Sequence, residues 1–238
     1  MKQRHIRMVL MVNLGLSKKN KILVIAAHPD DELLGCGGTI IKLKKDNDVK
    51  VVFLTNGVSA RSKKKKAINL RKNECLKVFK GLNLSKPTMF NFPDNQLDRV
   101  PLLKIIKKIE EIINKFKPNI IFTHYENCLN IDHQIAYRAT ITACRPLKKC
   151  PVKTILSFEV LSSTDWAIFK NKSFQPNYYI DITDQIKKKI RFLKYYKSEM
   201  RKYPHSRSLK SLEALSKIRG TSSGFKFAEA FLLVRHLD

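Results

Sequence analysis

Apolar residues run without interruption from Ile22 to Ala27, and the run breaks at His28-Pro29-Asp30-Asp31. A strand with no polar alternation is one buried on both faces, as in a parallel sheet. Val49 to Leu54 and Ile120 to Thr123 repeat the pattern, and Thr88 to Phe92 reads as a shorter strand. Between these runs the spacing turns helical. Leu33, Leu34, Ile40, Ile41 and Leu43 predict a first helix ending near Asp46, and Asn69 to Phe79 a second. Leu103, Ile106, Ile109, Ile113 and Phe116 fall on one face of a third, from Leu102 to the stop at Pro118. A fourth helix spans about Asp132 to Cys144, ahead of Pro146.

The second half is less regular. Thr154 to Val160 and Tyr178 to Ile182 read as strands, Asp184 to Met200 and Leu209 to Ile218 as helices, and Phe227 to Val234 as a closing strand. Strands alternating with helices imply right-handed βαβ units. The expectation is an α/β fold: a single Rossmann-like domain with a mostly parallel sheet flanked by helices, over residues 21–238. The 238 residues suffice for one sizeable core, and no Gly/Ser/Pro-rich linker or repeat divides them. Residues 1–20 read as a poorly ordered N-terminal extension. Its basic start and apolar Met8–Leu16 imitate a signal peptide, but Asn13 interrupts the run and Ser17-Lys18-Lys19 replaces a cleavage site. No segment is long and apolar enough to be transmembrane.

Composition changes this picture in two ways. Lys and Arg total 47 against 20 Asp and Glu, a formal charge of +27, so the surface attracts anions without selecting among them. The lysines are scattered over nearly every predicted helix, with the densest run, Lys63 to Lys66, at the entry to the second; this reads as a solvated face. No helix-turn-helix or aromatic-and-basic motif marks specific nucleic-acid binding. Such binding on a degenerate hydrolase scaffold is the alternative of a different class. The five cysteines form no CxxC pair, which predicts reduced thiols and a cytoplasmic protein.

Ligands of parallel sheets bind beyond the carboxyl ends of the strands. His28, Asp30 and Asp31 follow the first strand; His124 ends a later one, with Asn130, Asp132 and His133 just after it. A catalytic zinc takes three His or carboxylate ligands and keeps a position for water, and His28, Asp31 and His133 form such a set. The metal acidifies the water, and a neighbouring carboxylate, Asp30, takes its proton and passes it to the departing amine. Two successive acids are costly unless a cation lies between them. Each part has a bland reading: His-Pro and Asp-Asp occur in turns, and Asp132 caps helices well. Together, at strand ends, they point to a metal.

Ala27-His28-Pro29-Asp30-Asp31-Glu32 resembles the signature of the PIG-L/LmbE-like deacetylases, in which AHPDDE follows the first strand and the second histidine sits in an Asp-His pair. The resemblance extends through nearly all of the chain from Lys21 on. It runs through Leu54-Thr55-Asn56-Gly57-Val58, Arg71 with Glu74, Pro93-Asp94-Asn95, Leu129 to His133, Thr142 to Pro146 and Ser162 to Trp166. Pro204-His205-Ser206-Arg207-Ser208, Arg219-Gly220 and Ala228 to Phe231 complete it, and these segments resemble a bacterial branch associated with surface sugars. It implies one Zn²⁺ per chain on His28, Asp31 and His133, Asp30 as general base, and Glu32 and Asp132 as support. The implied activity is removal of an N-acetyl group from an amino sugar such as N-acetylglucosamine or its conjugate. The basic surface favours an anionic conjugate, and a non-sugar amide is the alternative substrate.

Two positions depart from that pattern. Asn130 stands where many relatives carry a histidine that helps to stabilise the oxyanion; an amide donates a hydrogen bond without the charge. Cys128 stands where branch members often have Asp. His205 is the expected replacement for the missing imidazolium, with a surface turn as the alternative. Arg71 is a candidate sugar or phosphate ligand, against simple pairing with Glu74. Asp94 could bind sugar hydroxyls or form an Asx-turn, and Trp166 could stack on a sugar or pack. Gly35, Gly37 and Gly38 read as small residues for close packing, not as a dinucleotide fingerprint.

Overall fold

The computed structural model describes residues 19–168 and 173–238. Its elements in chain order are β1 (Lys21–Ala26), α1 (Asp31–Leu43), β2 (Asp48–Thr55), α2 (Lys65–Gly81), β3 (Thr88–Phe92), a 3-10 turn (Leu97–Arg99), α3 (Leu102–Phe116), β4 (Ile120–His124), α4 (Ile131–Ala143), β5 (Thr154–Phe158), β6 (Tyr178–Asp181), α5 (Ile186–Leu193), α6 (Leu209–Thr221) and β7 (Ala228–His236). Among the described residues one sheet of seven strands has the order β3-β2-β1-β4-β5-β7-β6. The pairs from β3 to β5 are parallel. The closing strand β7 runs antiparallel to both β5 and β6.

The continuous apolar runs follow from this layering. Ile22, Val24 and Ala26 join the core beneath α1, α2, α5 and α6, while Leu23, Ile25 and Ala27 join the core beneath α3 and α4. A strand at the sheet centre has no wet face, so its sequence carries no alternation. The expected extension, residues 1–20, lies outside the described residues except for Lys19 and Asn20.

Two helices depart most from the predicted spans. Helix α2 starts at Lys65, not Asn69, because nothing in the lysine run breaks it. The helix expected from Asp184 to Met200 stops at Leu193. Tertiary contacts override the period there: Tyr196 is fully buried with its hydroxyl on Glu32 Oε1 at 2.7 Å, and Glu199 is drawn under arginine side chains.

Helix α1, which begins at Asp31, contains a break. Cys36 has φ −141° and ψ 26°, outside helical values. A Cβ on Gly35 would lie 2.2 Å from the Phe158 ring, so only glycine allows the helix this close to β5. The polar groups freed at the break find partners from distant elements. Glu229 on β7 accepts from Gly38 N (2.8 Å) and Thr39 N (2.7 Å). Lys189 on α5 donates to Leu34 O (2.9 Å) and to Glu229 Oε1 (2.6 Å). Both side chains are buried.

Removing one member of a buried pair leaves the other charge uncompensated, at a cost of about 3–5 kcal/mol. Glu229→Ala is therefore expected to lose about that much stability in urea denaturation, whereas a loss under ~1 kcal/mol would show that the break does not depend on Glu229.

Candidate active site

In the order β3-β2-β1-β4-β5, the chain leaves β1 for a helix on one face and β4 for a helix on the other, which opens a crevice between their carboxyl ends. Both sequence clusters arrive there. His28 N donates to Asp31 Oδ2 (2.9 Å), and the same oxygen lies 3.0 Å from His28 Nδ1, 3.3 Å from His133 Nε2 and 3.5 Å from His124 Nε2. On its far side, His28 Nε2 is 3.1 Å from Asp132 Oδ2 and 3.3 Å from Asp94 Oδ1. Asp132, in the first turn of α4, also accepts from Asn95 N (2.7 Å) and Leu97 N (3.0 Å). Asn130 caps α4, accepting from Asp132 N at 2.8 Å.

Asp30, just before α1, has φ +127°, a costly conformation for a residue with a side chain. Its N–H donates to Glu32 Oε2 (2.9 Å), and Glu32 in turn accepts from Tyr196. This local strain aims the Asp30 carboxyl into the cavity. Its Oδ2 receives Arg207 Nη1 at 3.3 Å, and its Oδ1 accepts no hydrogen bond among the described residues.

Burial pushes the Asp30 carboxyl up to about 7, against the pull of Arg207 and Arg71. Burial likewise carries Glu32 up to about 8, against the Tyr196 hydrogen bond. Burial also opposes the charge on Asp31, yet His133, His28 and His124 hold it well below the usual carboxylate range. His28 is penalised by burial too, but Asp31 and Asp132 raise it to about 10. His133 and His124 are lowered, chiefly by burial.

These features fit a divalent metal. Ligand atoms of His28, Asp31 and His133 lie within 4.8 Å of one another, and a tetrahedral zinc with bonds of 2.0–2.2 Å holds its ligands about 3.3 Å apart. Carboxylates on both sides draw His28 towards its protonated form, and a cation on the Asp31 side meets the same demand while Nε2–H donates to Asp132. His133 Nδ1 and His124 Nδ1 are buried without a partner. Arg61, Arg71 and Arg207 are paired with Asp30, Glu74 and Glu199, so none of them compensates Asp31, whose neighbours are the three histidines. His28, Asp94 and Asp132 also converge within 4.8 Å. Asp132 is occupied by backbone donors and Asp94 by Ala60 N (3.0 Å) and Thr55 Oγ1 (3.3 Å), and neither lines the cavity.

The cavity, of about 150 Å³, is lined by His28, Asp30, Asp31 and His133, by Gly57, Asn95 and Asn130, and by Arg61, Arg71, Arg207 and Glu199. Three guanidinium groups meet on Glu199: Arg61 Nη2 at 2.6 Å, Arg207 Nη1 at 3.1 Å, and Arg71 Nη2. Of the residues predicted from sequence, Arg71 lines the cavity but spends its terminal nitrogens on Pro29 O, Ser198 Oγ and Glu199, with Glu74 3.5 Å away. Asp94 serves the frame around His28. His205 does not reach the cavity: its Nδ1 accepts from Arg207 N (2.9 Å) and its ring packs 5.2 Å from that of Trp166. Cys128 is buried against Thr164 Oγ1 at 2.9 Å, with burial raising its thiol to about 12.

Sequence reasoning missed Glu199, Arg61 and Arg207. Glu199 had a signal: it is the one acid among eight Lys and Arg between residues 187 and 202. Arg207 stands two residues beyond His205, in the same Pro204–Ser208 segment.

Residues 23–144, just over half of the chain, match the PIG-L family, described as GlcNAc-PI de-N-acetylase. Both segments that supply the candidate metal-binding group fall inside that span. The uncharacterized deacetylase YaiS of Escherichia coli K12 is 29% identical over 165 residues, covering 67% of this chain and 83% of its own. A diacetylchitobiose deacetylase of Thermococcus kodakarensis is 25% identical, covering 94% of this chain and 86% of its own. The crystal structure of the conserved protein TT1542 from Thermus thermophilus shares the fold, with a TM-score of 0.74 and 24% identity over 92% of this chain and 96% of that one.

The geometry separates ligands from frame. His133→Ala and Asp31→Asn are expected to purify without stoichiometric zinc, and Asp94→Asn to retain it, as read by metal analysis. Asp132→Asn, which alters the partner of His28 Nε2, is expected to weaken zinc about 10- to 100-fold in a chelator competition. Full zinc occupancy in His133→Ala would exclude the assigned ligand set.

Proposed function

The chain belongs to the PIG-L family of de-N-acetylases, which are hydrolytic enzymes, and from that premise we propose that it is a zinc-dependent hydrolase removing the N-acetyl group of an amino-sugar derivative. The observation that carries this reading is the convergence of His28, Asp31 and His133 on a cavity where Asp30 keeps one carboxyl oxygen free. A bound zinc ion supplies polarisation of the amide carbonyl and a water of lowered pKa.

The chain's own residues do the rest. Asp30 takes a proton from the attacking water and passes it to the nitrogen as the C–N bond breaks. The strained backbone and the Glu32–Tyr196 contact hold Asp30 in place. Asn130 spends one amide hydrogen on Asn95 Oδ1 (2.9 Å) and has a second to offer the substrate oxygen. The products are acetate and a free amine.

Relatives named as deacetylases of diacetylchitobiose and, provisionally, of N-acetylglucosaminyl malate support a sugar substrate. The loop after β2 carries Arg61 into the cavity wall and continues into the exposed run Lys63–Lys66. That lip favours a conjugate bearing an anionic group. All five cysteines are free, which suits a reducing compartment such as the cytoplasm. Among the described residues no helix is long and apolar enough to cross a membrane.

The test is acetate release by the zinc-loaded protein from N-acetyl sugars, free and nucleotide-linked. Asp30→Ala is expected to keep zinc and lose about 100- to 10,000-fold in turnover. Turnover within a few-fold of wild type would remove Asp30 from this role, and no acetate from any N-acetyl sugar would remove the sugar.

A further inference from the structure

We propose that Arg207 is a catalytic residue of this site: it fixes Asp30 through Oδ2 and offers its free Nη2 to the oxyanion formed on the substrate amide. The inference rests on the deacetylase reading above. In amide hydrolysis the water oxygen bonds to the carbonyl carbon, and the C=O electron pair moves onto oxygen. Collapse re-forms C=O and breaks the C–N bond, with the nitrogen taking the proton from Asp30. Charge on that oxygen exists only between the two steps, so a fixed cation beside it stabilises the barrier more than the bound substrate.

The groups first expected to meet this charge do not supply a cation. Asn130 is neutral, with its oxygen on the cap of α4 and one N–H on Asn95. His205 lies outside the cavity lining and accepts the Arg207 backbone N–H. Three guanidinium groups do line the cavity, and their hydrogen bonds distinguish them. Arg71 donates from Nη1 to Pro29 O and from Nη2 to Ser198 and Glu199. Arg61 donates from both terminal nitrogens to Glu199, and from Nη2 also to Gly57 O. Arg207 donates from Nε to Ser162 Oγ (3.0 Å) and from Nη1 to Asp30 Oδ2 (3.3 Å) and Glu199 Oε2 (3.1 Å). Its Nη2 makes no hydrogen bond among the described residues.

Arg207 is thus held through Nε and Nη1, and Nη2 is the one nitrogen of its guanidinium left without a partner among the described residues. Its side chain is 19% exposed, against 2% for Arg71 and 52% for Arg61. That is the state of a donor both shielded from bulk water and reachable from the cavity. Fixing it beforehand removes the cost of reorienting a flexible side chain during reaction. The predicted role of His205 passes to a residue two positions on, and His205 itself buttresses the segment that carries it.

The test uses methylphosphonate, a small tetrahedral anion that mimics the acetyl end of the intermediate and needs no knowledge of the sugar. Its affinity for the zinc-loaded protein is measured by calorimetry for wild type, Arg207→Met, Arg207→Lys and Lys107→Met, with zinc content and melting temperature recorded for each. Lys107 is exposed on α3, outside the cavity lining, and controls for net charge. Arg207→Met is expected to bind about 10- to 100-fold more weakly with zinc retained. Arg207→Lys should fall between, since it keeps charge without the fork, and Lys107→Met should stay within twofold. In acetate release, Arg207→Met should lower kcat and leave KM nearly unchanged. Should Arg207→Met melt early, the Lys variant carries the comparison. Wild-type affinity in Arg207→Met, an equal loss in Lys107→Met, or no methylphosphonate binding to wild type would overturn the proposal. Arg207-dependent binding without acetate release from any N-acetyl sugar would instead count against the deacetylase reading.

Discussion

A single carboxylate oxygen, Asp31 Oδ2, sets the terms for the rest of the molecule. It is buried, ionised, and within 3.5 Å of nitrogens from three histidines. An isolated charge at that depth would cost many kcal/mol, so the fold must bring compensating groups from several directions. His28 comes from the same turn, while His124 and His133 come from β4 and the helix after it. That pairing requires β1 and β4 to be adjacent, and hence the reversal of strand order at the centre of the sheet. The strained backbone at Asp30 follows from the same demand, because two successive acids must point to different partners.

The chain divides its labour unequally. The segment that matches the PIG-L family supplies His28, Asp31 and His133, the candidate metal-binding group, with Asp30, Asn130 and Arg71. The remainder supplies Glu199 and Arg207, which close the cavity, and Tyr196, which supports Glu32. Lys189 and Glu229, which hold the break in α1, also lie there. The first portion carries Asp30 together with Arg61 and Arg71, and the second adds Glu199 and Arg207 to the charges around it.

Much of this was legible in the residues alone. Unbroken apolar runs marked the central strands because those strands have no wet face, and His28, Asp31 and His133 stood at strand ends where parallel sheets place ligands. The failures were tertiary. Nothing local ends the helical period after Leu193, and only the pull of Glu32 on Tyr196 and of arginines on Glu199 explains the stop. Likewise the segment Pro204–Ser208 drew attention to His205 without revealing that Arg207 faces inward while His205 supports it. Asp94 read as a sugar-hydroxyl ligand or an Asx-turn because its partners, Ala60 N and Thr55 Oγ1, are 34 and 39 residues away.

The break in α1 has a bearing on how the domain folds. Gly38 and Glu229, which it joins, are 191 residues apart. Closing a loop of that length gains nothing until most of the sheet has formed. The helix that starts at Asp31 can nucleate early, but its final shape waits for the antiparallel strand at the far side. The final geometry of the break is therefore a late event, set only once β7 has joined the sheet.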